Sequence, residues 1–509
     1  MRVQGVLAAA ALVFTMREAR GEECARPTDP QGFAGYTYEG ATPVHFDTAG
    51  VRVWYTLSGE HAVRPASTRS DGVPDDVVRV GAVTEDALQR YGAMGYRAPL
   101  SDEDPTCGSN GGDDRLDVYL VHFAGADGTT VAERCKTTGA TAMCSSFVLA
   151  EANFEGRYAT VDEGIRTVLS HETFHAVQNA YDAELDRFWA EGTAQWGAKT
   201  LDPSLGDLER FLPAFFAEEG RSIDVPPGGV TARYLYGAAI WPVFLANHYD
   251  PAIIREVLEE EASSGASALD AAGVVLERRQ TSLHEAWSTF WLWNASTADR
   301  ADPNGYPDAA RYPLAPTREL ADVAKGVTSG STAYVYHLAS SARVTVALEA
   351  STDAHVAYLV PLEGGKTVLA KAAPLPATID RESLVVLTSL SKSKVDAPYT
   401  LRVTAAPDAA PPSGPSPPAA EPTGSASGGC SATGAAPGWS GYAFAVGATA
   451  LALSLRRRAL FGQGPRVSAG PYLCIACRLD ATSGMFSVRS PTGHAATIIE
   501  LRKVLKARG

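Results

Sequence analysis

The chain has 509 residues, of which 45% are hydrophobic and 20% charged, and a formal net charge of −14. The hydrophobic share is ordinary for a globular protein, and the length exceeds one typical core, so two folded domains with appendages are expected. The acidic balance argues against nucleic acid as a partner, because gripping a phosphate backbone needs a basic surface.

The first residues combine Arg2, an apolar run from Val6 to Phe14 and the small-residue stretch Ala19-Arg20-Gly21. That run is too short to span a bilayer, and the pattern predicts a secretory signal peptide over 1–21, with an uncleaved anchor as the alternative. Residues 35–160 read as mixed structure, with strands in VRVWYTL and LDVYLVHF and a helix through DDVVRVGAVTEDALQRYGAM. Four cysteines, Cys24, Cys107, Cys135 and Cys144, fall in this part. An even number in an exported segment predicts two disulfides, in any of three connectivities. Asp113, Asp114 and Asp117 surround a turn and offer hard oxygen ligands to calcium. The twelve-residue EF-hand pattern is missing, and an Asx-rich turn is the favoured reading.

The run TVLSHETFHAVQNAYD follows, with Asp162 and Glu163 ahead of it and Ile165, Val168, Leu169, Phe174 and Val177 at helical spacing. On that predicted helix His171 and His175, four apart, share a face and can grip one zinc ion, with Glu172 beside them as a candidate general base. The plainer alternative is an amphipathic helix whose histidines are merely buried and hydrogen-bonded. A catalytic zinc needs a third protein ligand and one open position. Glu191, sixteen residues after His175, opens a second predicted helix and is the candidate, a solvated acid at a helix start being the alternative. Gln195, one turn further, is a candidate partner for a ligand histidine's far nitrogen.

Zinc would lower the pKa of a water to roughly 7, and Glu172 would take its proton and pass it to a leaving amine. In TARYLYGAAIWPVFLANHY, Tyr236 is the candidate donor to the developing oxyanion, with Tyr234 and His248 as rivals and simple packing as the alternative role. Further helices are expected in LERFLPAFFAEE, IIREVLEEEA and LHEAWSTFWLWNA. From about Tyr312 short alternating runs predict a small antiparallel β-sandwich over 311–406, in which His337 and His355 read as strand-face residues. Residues 407–429 are a Pro/Gly/Ser/Ala-rich tether. Then come Cys430, an apolar stretch from Trp439 to Leu455 and Arg456-Arg457-Arg458, a pattern that reads as a membrane stop signal. The basic tail, 459–509, holds one CxxC at Cys474 and Cys477, which without a second pair is assigned no role.

The runs SHETFHAVQNAYD, FWAEGTAQWGA, YLYGAAIWPVFLANHYD and LHEAWSTFWLWNAS together resemble gluzincin-type metallopeptidases of the HExxH clan found in myxobacteria, over roughly residues 30 to 300. The resemblance implies His171 and His175 as zinc ligands, Glu172 as catalytic acid/base and Glu191 as third ligand. It also implies an α+β fold: a zincin-like catalytic domain over 22–310, a strand-bearing part packed with a helical part, ahead of the β-sandwich. Metzincins would need a further histidine soon after His175, and none occurs before His248. The tether, Gly428-Gly429-Cys430, apolar stretch and triple arginine resemble the MYXO-CTERM sorting signal of myxobacterial surface proteins, implying envelope targeting of segment 430–458; the tail departs from that pattern. The expected protein is thus an exported, envelope-tethered zinc metallopeptidase acting on protein or peptide substrates. A non-catalytic or narrowly processing surface protein with a structural zinc is the other reading, and the intact Glu172 favours the enzyme, since a structural site needs no base.

Overall fold

The computed structural model describes residues 25–103, 111–123, 125–229, 232–340, 342–391 and 395–407, with two short strands at 477–479 and 486–488. The chain divides into two units, Met1–Ser416 and Pro417–Gly509. In the second, Cys477–Leu479 pairs antiparallel with Phe486–Val488. The expected signal peptide, the tether from 408 on, the sorting segment with its apolar stretch, and Cys24, Cys107, Cys430 and Cys474 lie outside the described residues. No helix among the described residues is long and apolar enough to cross a membrane.

The first unit is α+β. Its first sheet holds β1 (Val44–Asp47), β2 (Val51–Tyr55), β3 (Leu116–Val121), β4 (Gly128–Thr138) and β5 (Thr141–Glu151), in the order β1-β2-β3-β5-β4. β3 runs parallel to both β2 and β5, while β4 lies antiparallel at the edge. β3 is buried at every position and β5 at nearly every one. A strand covered on both faces has no reason to alternate, so its sequence lacks the period-two signal that marks a half-exposed strand. One face carries Val53, Val118, Leu120 and Val148 against helices, and the other carries Tyr119, Phe147 and Leu149 against Tyr38. The register of β4 on β5 shifts between Ala132 and Cys135, where the ladder bulges. Beyond the bulge a disulfide joins Cys135 to Cys144 across the two strands.

The helices are α1 (Asp75–Ala93), α2 (Val161–Asn179), α3 (Arg187–Leu201), α4 (Asp207–Phe216), α5 (Ala232–Gly237), α6 (Ile240–His248), α7 (Ala252–Ser264), α8 (Ala268–Arg278) and α9 (Leu283–Ala295). α2 begins where the Thr160 side chain accepts from the Glu163 amide, and Asp162 and Glu163 sit in its first turn, where carboxylates suit the helix dipole. It is buried almost all round because the sheet covers one side and α1 and α3 the other. Phe174 on α2 meets Tyr91, Tyr96 and Trp196 edge-on at 4.9, 5.2 and 6.0 Å between ring centroids. Gly197 of α3 faces this ring cluster, and a Cβ there would stand 2.9 Å from both the Phe174 ring and the Tyr91 hydroxyl. The missing side chain is what lets α3 lie close against α2.

After residue 310 come β6 (Arg318–Glu319), β7 (Val323–Thr328), β8 (Thr332–Leu338), β9 (Val344–Ala350), β10 (His355–Glu363), β11 (Lys366–Thr367), β12 (Ala373–Pro374), β13 (Ala377–Ile379), β14 (Ser383–Ser389) and β15 (Ala397–Ala405). They form one sheet ordered β11-β10-β14-β8-β6, with β12 on β10, and another ordered β13-β9-β15-β7. Tyr336, Leu338, Val346, Leu359, Val385, Leu387 and Leu401 of both sheets join in one apolar cluster. The expected purely antiparallel pairing is corrected at β6, which runs parallel to β8 because the chain enters this region beside β8 in the same direction. Alternate residues of β8, β10 and β14, among them Val335, Val360, Leu384 and Val386, instead join the helical core with Trp287 and Phe290 of α9. The region after 310 is therefore continuous with that core.

The connection from α2 to α3 is backed by a buried acid on α7. Glu261 is 2% exposed, and its Oε2 has no hydrogen-bond partner among the described residues. Burial, with the charges of Asp186 and Asp182 adding to it, pushes its carboxyl up to about 9 from an ordinary 4.5. The folded protein therefore keeps a proton that the unfolded chain gives up between those values, and stability falls as pH rises through that window. Glu261→Gln is expected to flatten the decline and to raise stability near pH 8 by about 1–3 kcal/mol, read from thermal unfolding across pH 5 to 9.

Candidate metal centre

His171 and His175 project from one face of α2 toward Glu191 near the start of α3. The Nε2 atoms of the two histidines are 3.0 Å apart, and Glu191 Oε2 lies 3.2 Å from that of His171 and 3.4 Å from that of His175. Tetrahedral zinc with bonds of about 2.0–2.2 Å sets its ligand atoms roughly 3.3–3.6 Å apart. The triangle is close to that size, so the three side chains could hold such an ion. Among the described residues this is the single group of three His, Cys, Asp or Glu side chains that could hold a metal.

The surrounding field agrees with the geometry. Burial disfavours a charged His175, yet the hydrogen bond and charge of Glu191, then the charge of Glu172 and the Gln178 contact, outweigh it and push the imidazole up to about 9. Burial likewise pushes Glu191 up, but hydrogen bonds from His171 and His175 prevail and hold its carboxyl well below the usual range. The two shifts are reciprocal, each caused by the other group, as in a buried ion pair between the histidines and Glu191.

The orientation of His175 is fixed from behind by Gln178, one turn along α2. Gln178 Oε1 is 2.6 Å from His175 Nδ1, while its amide nitrogen donates to the Ala190 carbonyl at 2.8 Å and to Thr193 Oγ1 at 2.6 Å. With the amide end engaged, the oxygen end faces the imidazole, so Nδ1 donates to Gln178 and Nε2 is the nitrogen left facing His171 and Glu191. This corrects the expectation for Gln195, which is buried on α3 and is not the histidine's partner. The i, i+3 spacing on α2 was the available signal, and it favours Gln178 over a residue on another helix.

Of the three oxyanion candidates, only Tyr236 reaches the site. Its ring stands edge-on to His171 at 5.5 Å and against Phe211 at 5.0 Å. Burial, followed by the charges of Glu191 and Glu172, raises the phenol well above its ordinary pKa, so it stays a hydrogen-bond donor. Tyr234, two residues away on the same helix, faces the other side and packs on Phe215 with its hydroxyl toward the Ser222 carbonyl. His248 stacks on Phe244 and meets Tyr249 and Trp293 edge-on, away from the cluster. Glu172 is buried beside the histidines, and Thr130 of β4, which the sequence did not mark, lies 2.8 Å from its Oε2.

The acidic turn does not gather oxygens for calcium. Asp113 is paired with Arg52, at 2.9 Å, and with Arg115, whereas Asp117 is buried and accepts from Trp54 Nε1 at 3.0 Å. The Asp113 and Asp117 carboxylates are thus taken by neighbouring cations and by the indole. Burial, with the Asp102 charge added, pushes Asp117 up to about 8.

No known protein family and no curated protein matches the chain. Among solved structures, PliG of Salmonella Typhimurium, a periplasmic inhibitor of g-type lysozyme, matches with 12% identity and a TM-score of 0.13, over 17% of this chain and 97% of that one. PliG of Aeromonas hydrophila matches with 12% identity and a TM-score of 0.14, over 17% and 96%. Likeness this slight carries no argument about this chain.

Replacing the residue that orients His175 should show in metal binding. Gln178→Leu is expected to weaken zinc affinity by about 10- to 100-fold, measured by competition with a chromophoric chelator, with the far-ultraviolet circular dichroism unchanged.

Proposed function

We propose that the protein is a zinc-dependent peptidase working outside the cytoplasm. The observation that carries this reading is the convergence of His171, His175 and Glu191 on one point, with Glu172 and Tyr236 beside it. A structural zinc would account for three ligands but not for an acid and a phenol at the same place.

The three ligand side chains would hold zinc, which when bound supplies Lewis acidity toward a water and toward the scissile carbonyl. Glu172 accepts the proton of the attacking water and delivers it to the departing amine. Tyr236, kept neutral by burial, donates to the carbonyl oxygen as negative charge grows there. His175, held by Gln178, and Glu191, held by the packing of α3 on α2, keep the ligand set rigid. A peptide rather than a compact small molecule is favoured by β4, the terminal strand of its sheet, which touches Glu172 and has its outer edge unpaired among the described strands. An extended chain can lie along such an edge and use its backbone hydrogen bonds. The Cys135–Cys144 disulfide fits an oxidising compartment and so supports export to the envelope.

The purified protein should cleave members of a broad peptide library, lose this on chelation and regain it with zinc. Glu172→Gln should lower kcat by about 10²–10⁴ with zinc still bound, and Tyr236→Phe by about 10²–10³. Full zinc occupancy with no cleavage anywhere in the library would leave only a binding or structural role.

A further inference from the structure

The edge strand does more than border the site. Gly128 and Thr130, two apart on β4, face the same side of the strand, and Thr130 touches the Glu172 side chain. A Cβ at Gly128 would stand 2.7 Å from Val168 Cγ1, 3.0 Å from Glu172 Cγ and 3.1 Å from Glu172 Oε1, so the glutamate occupies space that only glycine leaves free. Thr130 Oγ1, in a side chain buried on the same interface, lies 2.8 Å from Glu172 Oε2 and 2.8 Å from the Glu172 backbone carbonyl.

A hydroxyl has one proton to give. The Glu172 carbonyl sits inside α2, where the amide four residues on already serves it, so the side-chain oxygen is the acceptor in need. Oε2 is thereby engaged, and Oε1 accepts no hydrogen bond among the described residues.

We propose that Thr130 is a positioning residue for Glu172, holding Oε2 so that Oε1 is the oxygen presented for proton transfer, with Gly128 providing the space in which that rotamer fits. The inference rests on the reading of Glu172 as general base. It makes the alignment of the base depend on where β4 lies, 42 residues earlier in the chain.

Thr130→Val keeps the shape and removes the donor, and Thr130→Ser keeps the donor. With zinc content matched to the unaltered protein, Thr130→Val should lower kcat by about 10- to 100-fold with KM changed less than about threefold, and Thr130→Ser should recover most of the loss. A crystal structure of zinc-loaded Thr130→Val should show the Glu172 carboxylate rotated or in more than one rotamer, with His171, His175 and Glu191 unmoved. An unchanged Glu172 rotamer there, or equal kcat for Thr130→Val and the unaltered protein, overturns the proposal. If the unaltered protein cleaves nothing, the peptidase reading fails by itself, and the rotamer still decides whether Thr130 positions Glu172.

Discussion

The register of α3 on α2 is the constraint on which the centre depends. One helix supplies two candidate ligands by its own geometry, since residues four apart share a face. The third must come from elsewhere and arrive within a few tenths of an ångström. Gln178 sets that register by bonding at once to His175 on its own helix and to Ala190 and Thr193 on the next, the residues on either side of Glu191. Each such bond contributes only about 1 kcal/mol net, but an unmet partner in this buried place would cost more than that. The absence of a side chain at Gly197 then lets the helices close on the Phe174 ring. Ligand geometry and core packing are thus one arrangement.

Around that contact the fold is layered so that each neighbour of the site comes from a different direction. The first sheet lies behind α2 and brings Thr130 to Glu172, while α5 brings Tyr236 to His171 and α4 backs that tyrosine with Phe211. The later sheets stand behind α9, where the Trp287 indole donates to the Thr332 carbonyl and Ser288 meets Thr388. They support the helical core without adding a group to the centre.

What could be read from the chain follows the range of the interactions. His171, Glu172 and His175 were legible because their spacing is local to one helix, and Glu191 because a second helix begins just before it. Tyr236 could be proposed but not separated from Tyr234, since the two sit two apart and only the packing of α5 on α4 decides which faces the histidines. Gln178 was overshadowed by Gln195, although its own spacing from His175 was the better sign. Thr130 was out of reach, because β4 and the buried β5 beside it lack alternation and the contact with α2 joins distant parts of the chain. The parallel entry of β6 was hidden for a similar reason, as a two-residue strand carries no pattern of its own.

The bulge in β4 gives the open edge a second aspect. A straight, bare strand edge is a template for any other strand, including the same strand of another molecule. Here the regular ladder breaks after Ala132, and beyond the break the strand is exposed and carries Lys136. Only Gly128 to about Ala132 presents an unbroken edge, roughly 16 Å at about 3.3 Å per residue. That short length denies a second copy the long flat run on which fibres grow.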